Sequence, residues 1–145
     1  NKIVEDLFVF KKYPSELKIL IKKTNFLAVT KKNNQNYYIG SNGHFVLTKG
    51  IVKDLPFIFG DIEPEEFLKF KLYIDKSKFD FNQIKNLFFF KSGRWDIEIK
   101  SGLLIKLPKE NIQQSLELSK KILDKNDKKI KIIDLRQHKQ VIINE

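Results

Sequence analysis

Few side chains in this 145-residue sequence are suited to recognition chemistry, and two of them are arginines. All but two of the 28 cationic residues are lysines, and the exceptions are Arg94 and Arg136. A guanidinium offers a planar fork of donors that fits a carboxylate and a face that stacks on aromatic rings, and an ammonium reproduces neither. Arg136 closes an Asp134-Leu135-Arg136 step, and Arg94 directly precedes Trp95, the one tryptophan. Two readings of Arg136 are open: a fork for a carboxylate on a partner, or an internal pair with Asp134. For Arg94 and Trp95 the residue types favour a structural role over partner contact, with the guanidinium stacked on an aromatic ring and the indole in the core.

Conventional catalysis finds little support. The chain has no cysteine and two isolated histidines, His44 and His138, so neither thiolate chemistry nor a transition-metal site is expected. No Gly-x-Ser-x-Gly element occurs, and the Gly40-Ser41-Asn42-Gly43 cluster lacks the Lys-Ser/Thr that follows a phosphate-binding loop. Glu65 and Glu66 are explained by the positive end of a helix dipole before they are explained by acid–base work. These residues predict a protein that is not an enzyme and holds no cofactor and no metal.

The net charge of +10 points to an anionic partner or to a lysine-rich solvated surface. One alternative function is a basic module for single-stranded nucleic acid, with Tyr37, Tyr38, Phe88 to Phe90 and Trp95 as a stacking platform. No RNA-recognition strand motif accompanies these aromatics, and aromatics on half-buried strands more commonly belong to a core.

Strand patterns dominate the elements that must position these residues. Phe8 to Lys11 and Leu17 to Lys22 alternate on either side of Tyr13-Pro14-Ser15 and predict a hairpin. Phe26 to Thr30 is a third strand. Tyr37 to Ile39 and Phe45 to Leu47 flank the glycine-bearing turn at Gly43 and form a second hairpin. Leu55-Pro56-Phe57-Ile58-Phe59-Gly60 reads as an irregular buried crossing because of its Pro and Gly. Pro64 then opens a helix with Phe67, Phe70 and Ile74 on one face. Leu87 to Phe90, Trp95 to Ile99 and Leu103 to Leu107 alternate around turns at Gly93 and Gly102. Pro108 opens a second helix with Ile112, Leu116, Ser119 and Leu123 on one side. Two strands close the sequence, the last over Gln140 to Asn144 with Val141 and Ile143 on one face. The fold class is α+β, a mostly antiparallel sheet with two helices packed on one face. No apolar run is long enough to span a bilayer, and because the sequence opens at Asn1 without Met, a membrane anchor is expected upstream.

In series, these features resemble the FtsQ/DivIB family of bacterial division proteins. The resemblance rests on Tyr13-Pro14 before a strand, Gly43 in a hairpin, Leu55-Pro56 with Gly60, Arg94-Trp95 heading an alternating strand, Gly102 at its turn, and Asp134-Leu135-Arg136 before a last hairpin. It covers essentially the whole sequence. It implies that residues 1–28 are the C-terminal hairpin of an incomplete POTRA domain and 29–145 an FtsQ-type β domain. It further implies the periplasmic part of a single-pass inner-membrane protein at the division septum, binding FtsB and FtsL directly through the β domain, and FtsK and other division proteins through the POTRA part, with no nucleic acid. The resemblance places a partner-contacting arginine at Arg136. The final strand, as a sheet edge, exposes backbone donors and acceptors to which a partner strand can add. Arg136, Gln137, Gln140, Val141, Ile142 and Ile143 are therefore the expected partner-binding residues.

Overall fold

The structure is a computed structural model that describes residues 4–12, 16–50, 54–125, 129–137 and 140–145, with side-chain surroundings from Lys23 onward. The turn expected at Tyr13-Pro14-Ser15 and His138 lie outside the described residues. Two strands, β1 (Val4–Lys12) and β2 (Glu16–Lys23), pair as the expected antiparallel hairpin. The remaining strands form one nine-stranded sheet: β3 (Phe26–Lys32), β4 (Gln35–Gly40), β5 (Phe45–Leu47), β6 (Phe57–Phe59), β7 (Ile84–Phe89), β8 (Trp95–Ile99), β9 (Leu104–Lys106), β10 (Ile132–Asp134) and β11 (Ile142–Asn144). Their order across the sheet is β11-β10-β9-β8-β7-β6-β3-β4-β5.

Most neighbours are antiparallel, as alternation between short turns predicts, but β3 with β6, β6 with β7, and β9 with β10 run parallel. Two of these joins contain the helices. A parallel neighbour requires the chain to cross back to the end of the sheet it started from. Helix α1 (Pro64–Ser77) makes that crossing between β6 and β7, and α2 (Ile112–Lys125) makes it between β9 and β10.

The Leu55 to Gly60 run is a correction to the sequence reading. Phe57–Phe59 is a regular central strand, parallel to both neighbours. Its punctuation bounds the strand instead of breaking it. Pro56 precedes the strand, where its missing N–H costs no ladder bond, and its carbonyl accepts from Val29 N at 2.9 Å. Gly60 follows with φ +117°, and a Cβ there would lie 2.2 Å from the Phe89 carbonyl oxygen.

Helix α1 begins where Pro64 predicts, with Glu65 and Glu66 in its first turn, and buries Phe67, Phe70 and Ile74. Helix α2 begins at Ile112, four residues later than Pro108 suggests. Leu107 is still held to the sheet by its N–H, which donates to the Trp95 carbonyl at 3.2 Å. The chain then needs residues 108–111 to climb to the helix layer, with Asn111 in the left-handed region.

One core joins both helices to the sheet. Trp95 is 3% exposed and its ring lies parallel to Phe70 of α1, centroids 4.4 Å apart, while Leu116 of α2 joins the same cluster. Residues directly opposite one another in a sheet share a face. The register therefore draws one core row across the sheet: Thr30, Ile58, Leu87, Ile97, Ile105, Ile133 and Ile143. The first six are at most 1% exposed, and Ile143 is 43% exposed.

Replacing Gly60 with Ala combines a positive φ with a collision against backbone. Gly60→Ala should destabilise the domain by about 3 kcal/mol or more. Thermal unfolding followed by circular dichroism measures it, with Gly102→Ala, whose added Cβ meets open space, expected to lose less.

Candidate functional site

The site grows from the last hairpin. Strand β11 pairs with β10 in antiparallel register, Ile133 opposite Ile143, and among the described residues no strand lies on its other side. Gln140 N donates to the Gln137 carbonyl at 3.4 Å in the connection between the two strands. Gln137 and residues 140–145 are exposed. Val141, Ile142 and Ile143 stand 41, 41 and 43% exposed, an apolar run on an unpaired edge, which soluble proteins ordinarily blunt or cover.

Arg136 emerges just after β10. Its Nε donates to Asp134 Oδ1 at 2.9 Å and its Nη2 to Oδ2 at 2.6 Å, a two-point fork. Its backbone N–H also donates to Oδ1, at 3.1 Å. The internal pair left open at the level of sequence is therefore formed. The hydrogen bond from the Arg136 side chain holds the Asp134 carboxyl below the ordinary carboxylate range, aided by the Arg136 backbone N–H and the Lys106 charge, against partial desolvation.

Arg94 repeats the arrangement with the order reversed. It pairs through Nη1 with Asp96, and its guanidinium carbon lies 4.3 Å from the centroid of the Phe90 ring. Asp96 is 4% exposed. Removal from water pushes its carboxyl above the usual range, against the pull of the Arg94 charge and the Leu107 N–H. Asp96 lies opposite Lys106, and Lys106 opposite Asp134, so the two pairs share the sheet face that the helices leave uncovered. The charge of Arg136 is felt at Asp96. Both arginines of the chain thus converge on one patch beside the β11 edge. Sequence reading did not single out Asp96 or Lys106. The signal was present as an i, i+2 spacing, Arg94 with Asp96 and Asp134 with Arg136, which puts both members on one face of an extended chain.

The other motif residues are dispersed. Gly43, Gly60 and Gly102 occupy positive-φ positions at three separate turns, and the buried Pro56 sits beside the half-buried Leu55 at the start of β6. Tyr13 and Pro14 fall outside the described residues. Trp95 is committed to the core and cannot serve a stacking platform. Tyr38 lies flat against Phe26 at 4.4 Å, and Phe88 against Phe59 at 5.2 Å. Among the described residues, no helix is long and apolar enough to cross a membrane.

Comparison with known proteins adds three findings. Residues 28–136 match the family model described as cell division protein FtsQ/DivIB, C-terminal. The cell division protein FtsQ of Rickettsia bellii (strain RML369-C) is 23% identical over 147 aligned residues, which cover 95% of this chain and 54% of that protein, so the chain spans about half the length of this relative. The major extracytoplasmic domain of the trans isomer of the division protein DivIB from Geobacillus stearothermophilus superposes with a TM-score of 0.49 at 12% identity, covering 73% of this chain and 98% of the other.

Asp96 makes the Arg94 pair testable. Removing one member of a buried pair leaves an uncompensated charge, so Arg94→Ala should cost about 3 kcal/mol at neutral pH. The folded-state pKa of Asp96 is already raised, and losing Arg94 raises it further. The cost of its charge is therefore greatest above that pKa and is relieved as the pH falls and the carboxyl protonates. Denaturant unfolding of Arg94→Ala should accordingly approach wild type in acid, and adding Asp96→Asn should recover part of the loss at neutral pH.

Proposed function

The chain belongs to the FtsQ/DivIB family of cell division proteins, and from that membership we propose that it is a non-enzymatic scaffold of the divisome that takes a segment of FtsB as an added strand on β11. In this reading residues 29–145 are the β domain that holds FtsB and FtsL. Residues 1–28 are the rear hairpin of a POTRA domain through which FtsK and other division proteins act. The whole protein is anchored in the inner membrane by a segment upstream of Asn1, with this part in the periplasm at the septum.

The observation that carries the reading is the open edge of β11, with three exposed apolar side chains next to Arg136. An added strand gains affinity from backbone pairing and specificity from alternate side chains. Arg136 supplies a directional contact. Asp134 takes two of its donors, and a guanidinium has five, so the aspartate orients the fork while donors remain for a partner carboxylate. Gln137 and Gln140 flank the same edge with neutral donors and acceptors.

Calorimetric titration with the periplasmic segment of FtsB from the same bacterium tests this. Wild type should bind saturably. Arg136→Glu should weaken binding by about thirtyfold or more, since it replaces attraction with repulsion at a desolvated contact. Donors along an edge strand alternate between inward and outward. Of Ile142→Pro and Ile143→Pro, one therefore loses an outward donor alone, and it should abolish binding while the circular dichroism spectrum stays that of the wild type. Unchanged affinity in these folded variants would overturn the proposal.

A further inference from the structure

The core row that crosses the sheet is unfinished. From Thr30 through Ile58, Leu87, Ile97, Ile105 and Ile133 its members are sealed beneath the helices, and it then ends on Ile143 with nearly half of that side chain in water. A strand added to β11 would place its own side chain at the next position of this row, about 4.8 Å further on. One step along the same face of β11, at Val141, lies a groove of about 660 Å³ between the first half of α2 and the final hairpin, lined by Ser115 and Leu118 of α2 and by Leu135, Gln140 and Val141. Leu118 is 39% exposed on a helix whose Leu116 is fully buried, so it is an apolar side chain at the edge of the helix layer.

Building on the strand-addition reading, we propose that the added segment carries apolar side chains at alternate positions that enter this groove, seat on Ile143, Val141 and Leu118, and extend the sheet-and-helix core by one strand. The intervening side chains face the uncovered side of the sheet, next to Ile142. Charge decides what kind of chain supplies the strand. The protein carries a net +10, and Lys109 and Arg136 stand with Glu110 at the groove. A second copy would bring the same excess of positive charge to the contact, whereas an acidic segment meets complementary charge. The occupant is therefore an extended segment of an acidic partner that alternates apolar with polar or acidic residues.

Leu118 lies on the helix and takes no part in backbone pairing along β11, which separates this inference from the strand-addition reading. In titrations with the same partner segment, Leu118→Glu should weaken binding at least tenfold. Leu72→Glu, a control at a leucine 57% exposed on α1, should bind as wild type. Placing serine at alternate apolar positions of the partner segment, a change that leaves the folding of this chain untouched, should weaken binding on one strand face far more than on the other. If proline in β11 abolishes binding while Leu118→Glu and both sets of serine variants bind as wild type, the groove is not used and this inference falls, with strand addition intact. If proline in β11 has no effect, or wild type does not bind, strand addition falls and the inference falls with it. Sedimentation of the protein alone should show a monomer. A dimer that Leu118→Glu dissociates would assign the groove to a second copy and overturn the inference.

Discussion

Both helices serve as crossovers between parallel neighbours, β6 to β7 through α1 and β9 to β10 through α2, and they share one core. Covering a single face has two consequences. Trp95, Phe70 and the row from Ile58 to Ile133 close into a dry interior. The opposite face stays available for charge, and there Arg94, Asp96, Lys106, Asp134 and Arg136 gather. The crossover through α2 also brings β10 alongside β9, so that β11, hairpinned onto β10, becomes the border of the sheet.

The two arginines illustrate how one residue type divides its work. Arg94 neutralises a carboxylate that the fold has taken out of water, and its other face lies on Phe90. Such a pair is costly to break and does little to attract a partner. Arg136 is exposed, and its aspartate keeps the charge in place without removing it from solvent. An exposed pair of this kind adds little stability. Its value is a fork held ready in one orientation, which reduces the ordering that a partner carboxylate must otherwise impose.

Much of this was legible in the residues. Pro64 with Phe67, Phe70 and Ile74 marked α1, the glycine turns at Gly43 and Gly102 marked two hairpins, and the character of Arg94 and Trp95 followed from their chemistry. Strand β6 was not legible, because three residues between Pro56 and Gly60 carry too little alternation to register, and its place is decided by partners that are distant in sequence. The parallel joins were hidden for the same reason, since local patterns report turns and leave crossovers silent. The start of α2 was misplaced because proline announces a helix only where the chain is free of the sheet, and Leu107 is still bonded to Trp95. At the candidate site, the closing strand over Gln140 to Asn144 and the fork of Arg136 with Asp134 were marked by alternation and residue type. Asp96 and Leu118 were not, the first because its burial depends on tertiary packing and the second because an exposed leucine on a helix is unremarkable until the empty groove beside it is seen.

The most direct test of a working edge at β11 is amide hydrogen exchange of the protein with and without the FtsB segment. Strand addition predicts new protection at outward-facing amides among residues 141–144, with the central strands unchanged. Saturated binding that leaves those amides exchanging as in the free protein would contradict it.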